Sequence, residues 1–280
     1  MWPVKKPRIK AAKSFGLCIS RVTDVGFKAR LQASASSIDT SESDYEKYAG
    51  LKSLQLMKSS TSVGSVSVSE MVKIYDQRMA GKRGPARAIY DQIKFLPKSG
   101  LCPYCHQRDV STLDHVLPKA HYPDLAVTPI NLVGACMECN KAKSASVPTA
   151  AQEVPLHPYF EDVSNDRWLT ASVSHSKNSP IIFDITRPAS WDALTEARAR
   201  RQFAQLQLAV LYSNQAAREI CNIRHNLQTH FSAGGAFAVE TELDRQWKSR
   251  LASSVNSWQT AMYEALRNDA WFQSGGFAFV

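Results

Sequence analysis

The fold is decided by Leu101-Cys-Pro-Tyr-Cys-His-Gln-Arg108 and Cys136-Met-Glu-Cys-Asn-Lys-Ala-Lys143, with Thr112-Leu-Asp-His-Val-Leu-Pro-Lys119 and Pro129-Ile-Asn-Leu-Val133 between them. In a Cys-x-x-Cys knuckle both sulfurs face one ion, and four thiolates satisfy tetrahedral zinc. Cys102, Cys105, Cys136 and Cys139 therefore read as a structural zinc site. Such a site is closed and has no open coordination position, so this ion is not the catalytic one. A redox role would call for a single Cys-x-x-Cys near a βαβ pattern, and the pattern is absent. The zinc would stabilise a segment too short to hold much core of its own.

Between the knuckles, Thr112 to Lys119 is a short β-like run in which Asp114 and His115 are neighbours. Neighbours in a strand point to opposite faces, so a strand that ends there can aim them at different tasks. Pro129 to Val133 is a second apolar run, and a helix starts near Cys139. The predicted order is strand, loop, strand, helix.

Asp-His-x-x-Pro-Lys, then Asn-Leu-Val, then Cys-x-x-Cys-Asn-x-x-Lys resembles the HNH endonucleases of the ββα-metal fold, in their four-cysteine zinc version. The resemblance covers about residues 101–146. It implies that His115 is the general base that activates a water. Asn131 would pin the loop and orient the histidine. Asn140 would join Asp114 in holding a divalent metal, Mg²⁺ or Mn²⁺, and Lys119 and Lys143 would contact phosphate. The chemistry agrees: histidine titrates near neutral pH, and a hard cation takes carboxylate and amide oxygens and neutralises charge on a phosphate. His106 adjoins a zinc ligand and could substitute in a knuckle, although four cysteines suffice, and His121 reads as a solvent-facing loop histidine in preference to a substrate contact. His157 reads as a hydrogen-bonded structural histidine.

Outward from this stretch the chain is chemically quieter. Its net charge of +9 fits a polyanionic partner such as nucleic acid, and 44% hydrophobic residues suffice for a buried core. No apolar run approaches the ~18 residues of a membrane span. The basic N-terminus lacks the apolar segment of a signal peptide, so the cytoplasm is the expected compartment.

Three regions are expected. Residues 1–68 read as a basic arm, a short strand near Phe15 to Val22, and Ser-rich loops or disorder. Residues 69–147 hold two helices, from about Ser69 and over Ala86 to Phe95, followed by the motif core. Residues 148–280 read as mainly helical, with short strands at Trp168–Val173 and Pro180–Ile185. Helices are expected over about 190–214, 216–231 and 240–268, ahead of a docked apolar C-terminus. The fold class is α+β, mainly helical, with a ββα-metal core and helical flanks.

The function expected is metal-dependent hydrolysis of phosphodiester bonds, with double-stranded DNA the substrate implied by the resemblance. RNA is an alternative, since nothing here reads the 2′-hydroxyl. Tyr122-Pro-Asp-Leu125 and His157-Pro-Tyr-Phe160 are similar to features of anti-phage effectors of the Septu type, which implies an ATPase partner. The alternative of another class is a non-catalytic zinc module that binds nucleic acid.

Overall fold

The structure is a computed structural model and describes residues 2–175 and 181–279. It divides into two compact units, Met1–Asp162 and Val163–Val280. The chain is α+β and mainly helical, with short two-stranded sheets. Residues 1–162 carry 22 Lys and Arg against 15 Asp and Glu, while residues 163–280 carry 12 against 10, so most of the positive excess lies in the first unit.

The first unit opens with α1 (Ala11–Ile19), α2 (Val25–Ala33) and α3 (Ala35–Gly50). Here the expectation of a short strand, loops and disorder over residues 1–68 is corrected. Ala11, Ser14, Phe15, Cys18 and Ile19 are buried at three- and four-residue spacing, which is a helical stripe. In α3, Ile38, Glu42, Tyr45 and Ala49 form a second stripe, with Ser36, Ser37 and Ser43 exposed. The serines mask that stripe in a composition count. Glu42 has a structural reason to be buried: its carboxylate accepts from the Ala11 backbone N–H at 3.1 Å and caps α1.

The second Ser-rich stretch is a hairpin, β1 (Ser62–Val63) and β2 (Val66–Ser67), which leads into α4 (Val68–Lys73) through a Ser67/Glu70 capping box. The helix continues as a π-helical turn, Ile74–Met79, and α5 spans Arg87–Lys94. One apolar core runs from Ala11 and Phe15 through Ile38, Met71 and Ile93 to Leu113 and Leu132. That continuity places the N-terminal helices and the motif in one unit. The unit also takes in residues 148–162, since Tyr159 Oη donates to the Leu132 carbonyl at 2.6 Å and Val4 N–H to that of Pro158 at 2.9 Å.

The motif folds as β3 (Thr112–His115), β4 (Leu132–Ala135) and α6 (Met137–Lys143). β3 and β4 are antiparallel, with Asp114 opposite Val133 and His115 opposite Leu132.

The second unit pairs β5 (Leu169–Val173) with β6 (Ile181–Ile185) in an antiparallel hairpin that buries Ile181, Phe183 and Ile185. Pro180, expected at the start of the second strand, lies outside the described residues. α7 is Ala193–Gln205, α8 Leu208–Ser253, α9 Trp258–Arg267 and α10 Ala270–Gln273. The expected helix over 190–214 is divided at Gln207, which takes φ 52°. The two later helices fall differently too. α8 absorbs the first and part of the second, with a break at Gly234 and Gly235, where Gly235 has φ 64° and ψ −153°. Phe272 and Phe277 are fully buried, so the C-terminus is docked. No helix among the described residues is long and apolar enough to cross a membrane.

Candidate active site

The four motif cysteines converge. All are buried, and their Sγ atoms lie within 4.8 Å of one another. Cys105 Sγ and Cys136 Sγ are 4.0 Å apart. Zinc–thiolate bonds of ~2.3 Å in a tetrahedron give sulfur separations of about 3.8 Å, so the cluster fits zinc. Thiols this close cannot ionise independently. Hydrogen bonds from Cys102 first, then Cys136 and Cys139, hold Cys105 low, while hydrogen bonds to Cys105 and Cys102 respectively push Cys102 and Cys139 up. A cation would relieve that competition. Cys136 also caps α6, its sulfur accepting from Cys139 N–H, so the thiol cluster sets where that helix starts.

Asp114 sits on β3 with 2% of its surface exposed. Tyr104 Oη donates to Oδ2 at 2.7 Å, and Lys143 Nζ lies 3.2 Å from Oδ1. Burial raises the Asp114 carboxyl, opposed by the Lys143 charge and the Tyr104 hydrogen bond. His115 is half-buried, and its Nε2 lies 2.8 Å from the Ala126 carbonyl oxygen. A carbonyl only accepts, so Nε2 carries the proton and Nδ1 presents a lone pair. Dense surroundings push the imidazolium down to about 3; the ring is neutral at pH 7.

Asn131 is wholly buried. Its Oδ1 accepts from Leu117 N–H at 2.8 Å, and its Nδ2 donates to the carbonyls of Leu117 at 2.9 Å and Leu125 at 3.3 Å. It thus ties both ends of the loop that leaves His115. Asn140, on the first turns of α6, is half-buried. A cavity of about 450 Å³ is lined by Asp114, His115, Lys119 and Asn140 from the ββα unit, and by Tyr75 and Tyr90 among others from the preceding helices.

The two lysines separate. Lys119 lines the cavity, bound to Asp76 Oδ1 at 2.5 Å. Lys143, expected at a phosphate, is turned inward instead. It is 8% exposed and donates to the His115 carbonyl at 2.7 Å as well as facing Asp114. One turn past Asn140, α6 directs that side chain at β3 and not at solvent.

Of the other histidines, His106 stacks on Trp2, centroids 4.2 Å apart, and His121 is exposed. His157 is buried with both ring nitrogens bonded, to Tyr45 Oη at 2.9 Å and Tyr159 N–H at 3.1 Å. Two residues at the site were missed from sequence. Tyr104, inside the first knuckle, reaches Asp114; its place in a turn that wraps an ion was the available signal. Tyr75 packs edge-to-face with His115, centroids 4.5 Å apart, and no local pattern marks it.

Antiparallel strands, a following helix and a four-thiol cluster define a ββα-metal unit, and residues 101–146 match the family model described as HNH endonuclease. The chain carries an HNH endonuclease domain in that segment. It is also similar to protein ea31 of Escherichia phage lambda, 29% identical over 229 residues, which is 76% of this chain and 76% of that protein. This likeness extends well beyond the HNH segment. No solved structure matches the chain.

Proposed function

We propose that this protein is a metal-dependent endonuclease that hydrolyses phosphodiester bonds of double-stranded DNA. The observation that carries the reading is the cavity itself. It is lined together by His115, whose Nε2 faces the Ala126 carbonyl, by the buried Asp114 and by Asn140. His115 takes the proton from a water at Nδ1, while Ala126 holds the opposite nitrogen and so fixes the tautomer. Asn131 keeps the loop bearing Ala126 at a constant distance from β3.

Asp114 and Asn140 would hold a divalent cation such as Mg²⁺ or Mn²⁺. Their hard oxygen donors fit it, and Lys143, whose Nζ lies 3.2 Å from Asp114 Oδ1, would have to give up that oxygen for the cation to bind. Bound there, the cation supplies charge stabilisation to the phosphate and the leaving 3′ oxygen. One carboxylate and one amide leave room for water and a substrate phosphate to complete the shell. Lys119, at the cavity, would grip a flanking phosphate, and the positive excess of residues 1–162 supports a polyanionic substrate.

The test is plasmid nicking with Mg²⁺ or Mn²⁺, comparing wild type with His115→Ala and Asn140→Ala. Cleavage by wild type alone, abolished by EDTA, is expected. Binding without cleavage by zinc-loaded wild type would favour a non-catalytic nucleic-acid module, and equal cleavage by all three would overturn the residue assignment. Cleavage of an RNA duplex at the DNA rate would widen the substrate class. The reading extends to a cytoplasmic anti-phage effector working beside an ATPase. ATP-dependent stimulation by the product of an adjacent ATPase gene would support that setting.

A further inference from the structure

The cavity's second side lies outside the HNH domain. Ala80 N–H donates to the Tyr75 carbonyl at 2.8 Å, a bond spanning five residues, and this π-helical geometry covers Ile74–Met79. Such turns insert a residue into a helix and recur at functional sites. This one is clamped in place. The backbone after it folds back so closely that a Cβ on Gly84 would lie 2.3 Å from the Arg78 carbonyl oxygen, and one on Gly81 2.5 Å from that of Gln77. Ala86 N–H donates to the Arg78 carbonyl at 3.0 Å, and Arg87 Nη1 to that of Ala80 at 2.6 Å.

The clamped turn offers two side chains to the site. The Tyr75 ring meets the His115 ring at 71° with centroids 4.5 Å apart. The Lys119 ammonium lies 4.3 Å from the centre of the same Tyr75 ring, held also by Asp76. One hydrogen bond at Nε2 anchors a single atom of the His115 imidazole and leaves the ring free to rock about that point. An aromatic neighbour at this angle fixes the plane, and with it the direction of the Nδ1 lone pair. We infer that the π-helical turn Ile74–Met79 completes the active site, with Tyr75 as the residue that positions the His115 imidazole. The inference rests on the assignment of His115 as the base.

The test uses full-length, zinc-loaded protein as wild type, Tyr75→Met and Tyr75→Phe. Methionine fills comparable space without a ring. Tyr75→Met is expected to lose about 10- to 100-fold in kcat, since small misplacement of a reacting group carries that penalty. KM should move by less than about threefold, because Asp76 still holds Lys119 and a kcat effect without a KM effect marks an interaction made at the chemical step. Tyr75→Phe is expected to restore most of kcat. ¹⁵N spectra of histidine-labelled protein give a readout independent of cleavage. His115 should stay the Nε2–H tautomer in all three, because Ala126 sets it, but its resonances should be sharp in wild type and Tyr75→Phe and exchange-broadened in Tyr75→Met as the ring rocks about that bond. If no protein cleaves, the nuclease reading fails, but these spectra still decide the positioning role. Wild-type kcat and equally sharp His115 resonances in Tyr75→Met would overturn it. Should Tyr75→Met fail to retain zinc, the nuclear Overhauser contact between the two rings in wild type decides. Persistence with Mg²⁺ and a non-hydrolysable oligonucleotide supports the proposal, and its disappearance there overturns it.

Discussion

One side of the cavity, formed by β3, the loop that follows it and α6, takes its shape from four thiols and a buried asparagine, whereas the other, formed by the π-helical turn and α5, takes it from apolar packing and close backbone contacts. The first side presents the groups proposed for chemistry, and the second presents aromatic rings and holds Lys119. The difference has a consequence for stability. A metal-dependent side should fail abruptly on loss of one ion, and a packed side should weaken by increments.

Zinc removal is the largest test of that contrast. Structural zinc sites contribute about 10 kcal/mol or more of local folding free energy. Metal analysis is expected to give one zinc per chain. Cys136→Ser should lose it and free α6 with Asn140 and Lys143, while hydrogen exchange keeps α1 and α3 protected. Loss of protection in α1 at the same rate would mean the two sides do not fold separately. His115→Ala comes next, with a drop of about 10²- to 10⁴-fold in cleavage, typical of removing a general base, and zinc content unchanged. Asn131→Ala should destabilise the protein by about 2 to 4 kcal/mol in urea titration, because it leaves the Leu117 N–H and carbonyl buried without their partner. Tyr104→Phe removes one hydrogen bond to Asp114. It should weaken Mg²⁺ or Mn²⁺ binding about tenfold by calorimetry, the usual effect of losing a group that supports a ligand, with zinc content unchanged.

The same contrast explains what could be read in advance. The cysteines, β3, β4 and α6 were legible because their signals are local: spacing sets the knuckles, and short apolar runs between them set the strands. α1 and α3 were not, because serines flank Ile38 and Tyr45 and dilute a stripe that only three- and four-residue spacing reveals. The inward direction of Lys143 was not legible, since a motif position states a residue type and not where the helix aims it. Tyr75 was invisible for a deeper reason. Its partner His115 is forty residues away, and their meeting depends on a π-helical register that no sequence periodicity encodes. The division at Gln207 was missed similarly, since a left-handed residue that is not glycine leaves no compositional mark.

The smallest predicted effect probes the packed side where it is anchored. Glu70, in α4 just ahead of the π-helical turn, accepts from Arg30 Nη2 at 2.6 Å and from Ser67 N–H at 2.9 Å. The Arg30 hydrogen bond first, and then that from Ser67, lower its carboxyl from 4.5 to about 2. A depressed folded-state value means the contribution is complete above the unfolded value and fades as pH falls from about 4.5 toward 2. The side chain is partly exposed, so solvent screens the pair and Glu70→Gln should cost only about 0.5 kcal/mol at pH 7. The difference in melting temperature between wild type and Glu70→Gln should therefore hold from pH 7 to 5 and shrink by pH 3. Any acid release of zinc is common to both proteins and cancels in the difference. A gap that widened on acidification would place the anchoring charge elsewhere and assign the stability of the packed side to its apolar contacts alone.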